Sequence, residues 1–238
     1  MILAAGRGVR MRPLSDTTPK PLLKVAGKSL IEWQIDRLVT GGFTDIVINH
    51  AWLGAQIEAA LGDGRAHGAN IRYSAESEAL ETVGGIVQAL PLLGNAPFMV
   101  ASGDVFTDFP YASLHAHIDR IAAGYPHEVG HVVLTDNPPF HPQGDMAIAD
   151  GKAVMAGAKL NYGGIAVFHP RIFAAFPRGH HGRLFPWAFE HVHAGRVTAE
   201  HHRGWWDNVG TPEDLAALDA AWRARVSSPE VMPLSRSA

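Results

Sequence analysis

Glycines at 6 and 8, followed by Arg10, Arg12 and Lys20, stand between a short apolar run, MILAA, and the first helical pattern. Glycine lets a backbone approach a ligand closely, and successive N–H groups in such a loop point at anionic oxygen. Arginine offers a planar fork to phosphate oxygens and lysine a compact charge, so having both suits a polyphosphate. A second residue of chemical interest is Asp104, which follows Gly103 at the end of another apolar run, FMVAS. For an arbitrary Gly-Asp pair, a carboxylate capping a turn after a strand is the commoner reading.

Three phosphate-loop designs can be separated by spacing. GRGVRMRP lacks the lysine and hydroxyl residue that close a P-loop. A dinucleotide fingerprint needs a third glycine opening a helix, but Met11 holds that place, and Pro13, Pro19 and Pro21 delay any helix. A long extended loop is left, with backbone N–H groups around Gly6 and Gly8 near the ligand and Arg10 and Lys20 reaching in. A strand-to-helix position at the sheet's carboxyl edge favours this over a solvated basic loop.

The elements that hold these residues follow from the hydrophobic pattern. MILAA, DIVINH, IRYSAE, FMVASGDV and EVGHVVLTD read as strands. SLIEWQIDRLVTGG, LGAQIEAALGDG, GGIVQALPLLG and YASLHAHIDRIAAG alternate with them as helices. Ser29 caps the first long helix and Gly41 and Gly42 stop it. Such alternation predicts an α/β sheet built largely from parallel strands. Beyond Asn137 the rhythm changes: a hairpin is expected around Asp150-Gly151, then a strand LNYGGIAVFH leading through Pro170 into a short helix, RIFAAF. LFPWAFEHVHAG reads as a helix, VTAEHHRGWWDNVG as one strand, and TPEDLAALDAAWRARV as a closing helix capped by Thr211. Leu215, Leu218 and Trp222 form the buried face of that last helix. One domain over 1–226 with an inserted lobe is expected, and a frayed tail over 227–238.

Bulk composition narrows the function classes. The chain of 238 residues has 47% apolar and 18% charged residues, as ordinary globular proteins do. A net charge of −3 argues against a general nucleic-acid binder, so the cationic character near residue 10 is local. With no cysteine, disulfides and thiolate metal sites are excluded and the cytosol is the simplest compartment. No run approaches the ~20 apolar residues of a membrane span, and no signal-peptide pattern opens the chain.

LAAGRGVRMRP followed by PKPLLKVAGKSLIEW resembles the signature of the sugar-phosphate nucleotidyltransferases, or nucleotide-sugar pyrophosphorylases. The likeness continues through SGDVFTD, YGGIAVFHP and WWDNVGTPEDL. It implies a single-domain, Rossmann-like three-layer sandwich with a mainly parallel mixed sheet and a small sugar-binding lobe. Expected substrates are a nucleoside triphosphate and a sugar 1-phosphate, with Mg2+ as cofactor and no membrane or nucleic-acid partner. Three further stretches, VINHAWLGAQIEAALGDG, IRYSAESEALETVGGIVQALPLLG and LTDNPPFHPQGD, look most like the members that uridylylate a muramic acid 1-phosphate in cell-wall recycling. A thymidylyl- or guanylyltransferase for a hexose 1-phosphate is the alternative within the class, and a non-catalytic nucleotide-sugar sensor the alternative outside it.

By the same resemblance, Ala5, Gly6, Arg7 and Gly8 would surround the nucleotide phosphates. Arg10 would hold the triphosphate, and Lys20 would lie between the two reacting phosphates. Asp104 matches the family's metal-binding carboxylate. The second metal ligand departs from the family pattern: Asn208 precedes the run VGT, with Asp207 one residue earlier. Neighbouring strand residues face opposite ways, so register favours Asn208 and ligand chemistry Asp207, and both stay open. Glu76, Gly84 and Gly85 match positions around the base, with Val83 where a glycine is usual. Glu81, Asn137, Gly144, Asp145, Tyr162 and Gly163 match sugar-facing positions.

Fourteen histidines are present. The pairs at 115/117 and 191/193 sit at i, i+2, which diverges on a helix, and none of them has a carboxylate at motif spacing. They are read as surface or partly buried residues, and Trp205 and Trp206 as core and rim packing.

Overall fold

The computed structural model describes residues 1–227. Strand β1 (Ile2–Leu3) is short, yet it lies inside the main sheet, third of nine strands. It pairs in parallel with β4 (Asp45–His50) on one side and β6 (Phe98–Ser102) on the other. Beyond β4 lies β5 (Asn70–Ala75), also parallel. Chain order therefore runs outward from β1 in one direction and then returns to the far side, which opens a crevice at the carboxyl ends of β1 and β6. The expected phosphate loop begins there.

On the other half, β6 is followed by β11 (Asn161–Phe168), β8 (Gly130–Thr135), β12 (Val197–His202), β10 (Lys152–Val154) and β9 (Ala147–Ala149). Only β11 and β10 run against the common direction, so the mixed sheet is mainly parallel, as expected. The β9–β10 hairpin turns at Asp150 (φ 49°) and Gly151 (φ 73°), both in the left-handed region that tight hairpin turns require.

Helices cover both faces. On one, α2 (Leu30–Thr40), α3 (Gly54–Leu61) and α5 (Leu114–Gly124) bury Ile31, Ile35, Ile57, Leu114 and Ile121. On the other, α4 (Glu81–Leu93) and α6 (Trp187–His193) bury Val83, Ile86, Ala188 and Val192. Ser29 caps α2 in a full capping box with Glu32. A third cluster lies beneath the phosphate loop. There α7 (Pro212–Ser227) packs Leu215, Leu218 and Trp222 against Met11, Val25 and Phe106. The short α1 (Leu14–Thr17) and the hairpin of β2 (Lys24–Val25) and β3 (Lys28–Ser29) complete that end. Thr211 accepts from the Asp214 N–H at 3.2 Å, the predicted cap.

Two expectations change. VTAEHHRGWWDNVG is not one strand. Gly204 lets the chain bend against Asp108 and His202, and β13 (Trp206–Asn208) leaves the main sheet to pair with β7 (Val105–Thr107). RIFAAF forms only a 3-10 turn over Pro170–Phe173, whose first turn the His169 ring caps. The expected domain end at 226 falls in the last turn of α7, and the expected tail lies outside the described residues from 228 on. No helix among the described residues is long and apolar enough to cross a membrane.

Candidate active site

The loop leaving β1 is fixed at both ends. Ala4 N–H donates to Asn49 Oδ1 at 3.0 Å, and Met11 is fully buried in the cluster below. Gly8 has φ 64°, and a Cβ there would stand 3.2 Å from Lys20 Cβ. The loop thus folds back on Lys20, and the Ser15 hydroxyl holds it by donating to Gly8 O at 2.7 Å. Lys20 opens a 3-10 turn after Pro19.

Its ammonium reaches Asp104 Oδ2 at 2.7 Å. The lysine side chain is 10% exposed and the aspartate 32%, so the pair opens to solvent from the carboxylate side. Gly103 makes this possible. Its N–H donates to Leu3 O at 2.8 Å, and a Cβ would stand at the same distance from that oxygen. The turn carrying Asp104 can therefore lie directly on the end of β1.

The β7–β13 pair brings the second candidate ligands to the same place. Asn208 pairs with Val105, next to Asp104, and Val209 N–H donates to Asp104 O at 3.1 Å. Asn208 Oδ1 is buried and has no hydrogen-bond partner among the described residues, although a buried carbonyl oxygen ordinarily finds one. Asp207 instead pairs with Phe106, and its carboxylate accepts the Trp205 indole N–H. Burial pushes Asp207 up, with Asp214 nearby, against the lowering effect of the indole bond. An oxygen-only set of Asp104 and Asn208 fits a hard divalent cation.

Arg10 is exposed and lies against Gly210, where a Cβ would be 3.2 Å from its guanidinium. Gly210 is two residues past Asn208, so Arg10 lies beside the chain that carries it. Arg7 stacks over Trp52 at 4.5 Å, and that indole donates to Ser15 O at 2.9 Å. Gly6 has nothing within 4 Å of an added Cβ, so its openness serves approach to the loop and not packing.

Around α4 the expected base-facing residues sit in a packed polar network. Asn49 Nδ2 donates to Glu76 Oε1 at 2.7 Å, and the other Glu76 oxygen accepts the Leu80 N–H at 2.9 Å. Burial raises the Glu76 pKa, although both bonds favour its charged form. A Cβ on Gly85 would stand 2.6 Å from Asn49 Nδ2 and 2.9 Å from Glu76 Oε1, and one on Gly84 would collide with His180 O. Val83 N–H donates to Gly182 O at 2.8 Å, so the 180–183 loop lies over the start of α4. Glu81 holds φ 62°, rare for a residue with a side chain, and its carboxylate is 3.7 Å from Arg183.

In the lobe, Asp145 Oδ2 accepts the Tyr162 N–H at 2.7 Å, while Oδ1 faces His141 at 3.2 Å. Burial and the Asp145 charge raise the Tyr162 phenol. Asn137 donates its amide to Pro142 O and Lys159 O, and Gly144 (φ 61°) packs beneath it. Gly163 and Gly164 form a bulge in β11. Gly164 lies on Ser102, and Gly163 O accepts the Trp206 indole N–H at 2.8 Å. That bond ties β11 of the main sheet to the strand bearing Asn208.

Lys20, Asp104, Asn208 and Arg10 thus gather at the carboxyl end of β1, while Glu76, Gly84 and Gly85 lie beside it in a packed network. Sequence reasoning missed Asn49, which joins the phosphate loop to Glu76. Its signal was a polar side chain at the end of the otherwise apolar run DIVIN. Trp206 was read as packing, and its indole N–H serves as a tie.

The sequence matches the nucleotidyl transferase family over residues 1–139. It is 47% identical over 232 residues to the N-acetylmuramate alpha-1-phosphate uridylyltransferase of Neisseria meningitidis, covering 94% of this chain and 99% of that one. It is 37% identical to the Caulobacter vibrioides protein of the same name, over 92% and 95%. Among solved structures, a Bacillus anthracis protein assigned as a glucose-1-phosphate thymidylyltransferase superposes with a TM-score of 0.81 at 20% identity. That match covers 98% of this chain and 96% of the other, and is a likeness of fold.

Proposed function

Because the chain belongs to the nucleotidyl transferase family, we propose that it transfers the uridylyl group of UTP to N-acetylmuramate 1-phosphate, releasing pyrophosphate and forming UDP-N-acetylmuramate. The observation that carries this is the Lys20–Asp104 pair at 2.7 Å, which joins the cationic loop to the carboxylate turn in one crevice. The sugar and the base rest on the 47% and 37% identical relatives. A place in cell-wall recycling follows from that product, and the nucleotide substrate makes the cytoplasm the expected compartment.

A phosphate oxygen of the sugar 1-phosphate attacks the α-phosphorus of UTP in line, and the bond from that phosphorus to the bridging oxygen of the β-phosphate breaks. Both partners are anions and the attacking oxygen is already ionised, so no side-chain base is required. Alignment and neutralisation are the protein's task. Lys20, held by Asp104 and nearly buried, presents its ammonium where charge builds on the α-phosphoryl group. Arg10, exposed at the loop's edge, takes the β- and γ-phosphates and then the departing pyrophosphate. Backbone N–H groups around Gly6 and Gly8 line the same oxygens.

A divalent cation, Mg2+ by donor type, would be held by Asp104 and Asn208 Oδ1. When bound it supplies charge that draws the two phosphates together. The buried, unpartnered Asn208 oxygen supports that choice over Asp207, whose carboxylate is engaged by Trp205. Tyr162, Gly163, Asp145 and Glu81 would bound the sugar, with Asn137 and Gly144 shaping the lobe loop behind them.

The test is a panel of UTP, dTTP, GTP and ATP against N-acetylmuramate, glucose and mannose 1-phosphates, scored by pyrophosphate release. The highest kcat/KM is expected for UTP with N-acetylmuramate 1-phosphate. Preference for dTTP with glucose 1-phosphate, or for GTP with mannose 1-phosphate, would overturn the assignment.

A further inference from the structure

The sheet face under α5 carries a second polar cluster, away from the phosphate loop. His131 is the second residue of β8 and is 1% exposed, Glu200 stands on the neighbouring strand β12, and His117 comes from α5 above them. One ligand atom from each lies within 4.8 Å of the other two. Both imidazoles address the same oxygen: Glu200 Oε1 is 3.1 Å from His131 Nε2 and 4.0 Å from His117 Nε2. The rings stack with centroids 3.5 Å apart.

We propose that His117, His131 and Glu200 form a site for a zinc-class divalent cation, pinning α5 to the β8–β12 pair. Tetrahedral coordination at about 2.0–2.2 Å sets neighbouring donors about 3.4 Å apart. The two measured separations bracket that spacing, and because the rings stack within 20° of parallel, one of them must turn for both in-plane lone pairs to reach one cation. Two imidazole nitrogens with one carboxylate are a zinc-type set and a poor one for Mg2+. Glu200 keeps a 35% exposed side chain, which gives water a way to a fourth position. The His117 nitrogen facing the carboxylate is beyond hydrogen-bond range of it, so the cluster as it stands joins only two of its three members.

The surroundings favour one ligand and oppose another. His131 Nδ1 lies 2.9 Å from Thr198 Oγ1, whose hydroxyl also accepts from Arg120 at 2.9 Å and faces Gly130 O. In the metal-free protein Glu200 accepts from His131 Nε2, so a cation must take the place of that proton. Thr198 Oγ1 is placed to accept from Nδ1 once it does, the outer-shell arrangement typical of metal-bound histidine. His117 is set against loading. Arg120 donates to its Nδ1 at 2.9 Å, which keeps the proton on Nε2. Loading requires that proton to leave Nε2 and Arg120 to release Nδ1, so Arg120 acts against the metal. The site is separate from the phosphate loop: His131 lies four residues, about 13 Å, back along β8 from Thr135 at the crevice end.

The test is calorimetric titration of the chelator-treated full-length protein with Zn2+, and Co2+ absorption as a report of tetrahedral coordination. One equivalent is expected to bind and to raise Tm. Asp104→Asn should leave that binding unchanged. His117→Ala and Glu200→Gln should abolish it while keeping the metal-free Tm near wild type. Thr198→Ala should weaken it by about 10- to 100-fold, and Arg120→Ala should tighten it. The proposal is overturned if wild type shows no saturable binding, or if binding survives both His117→Ala and Glu200→Gln. Loss of the single equivalent in Asp104→Asn would equally overturn it.

Discussion

Lys20 and Asp104 are 84 residues apart in the chain and meet at 2.7 Å beside the carboxyl end of β1. Neither residue is explained by its own element. The lysine lies in a 3-10 turn between prolines, and the aspartate in a turn that only Gly103 allows to rest on Leu3 O. Two local irregularities therefore converge on one crevice, where opposing charges can be fixed before a ligand arrives.

The second metal ligand is distinguished by charge. Asn208→Asp adds a carboxylate where a buried, unpartnered oxygen now sits, so the Mg2+ concentration for half-maximal activity should fall several-fold. Asp207→Asn retains an acceptor for the Trp205 indole and should leave that concentration within about twofold of wild type. A Mg2+ titration of pyrophosphate release checks both.

Glycines separate approach from packing. Gly6→Ala meets nothing within 4 Å, so its Tm should match wild type while KM for UTP rises. Gly85→Ala places a methyl 2.6 Å from Asn49 Nδ2, and overpacking there should destabilise by about 1–3 kcal/mol. Thermal unfolding together with nucleotide titration tells the two apart.

The capping box of α2 gives a pH signature. Burial acts to raise Glu32, but hydrogen bonds from the Ser29 side chain and backbone, with His67 and Lys28 nearby, outweigh it and hold the carboxyl below its usual 4.5. Its contribution is then present above that value and lost as pH falls through the lower, folded pKa. Glu32→Gln should cost about 0.5 kcal/mol at pH 7, reduced by solvent screening because the group is only partly buried, and nothing once the pH has fallen below the folded pKa. Denaturant unfolding at pH 7 and in acid checks this.

The strands, the helices and the cation loop were legible in the sequence because each is local. Ser29 with Glu32, Asp150-Gly151 and the Leu215/Leu218/Trp222 face all carry their signal within a few residues. The choice between Asn208 and Asp207 stayed open because alternation along a strand fixes which residues share a face, and the partner strand fixes what they meet. Gly204, which ends β12 and sends β13 to β7, gave no such warning. For Gly84 and Gly85 the reason for glycine lay in the distant His180, Asn49 and Glu76. His117, His131 and Glu200 belong to three elements, so no spacing rule could join them.

The most direct test is pyrophosphate release by Lys20→Gln, with UTP and N-acetylmuramate 1-phosphate both saturating. A drop in kcat of about 10²- to 10³-fold, with native Tm, is expected for removal of a positioned charge on the α-phosphoryl group. An unchanged kcat in a folded Lys20→Gln protein would contradict the account.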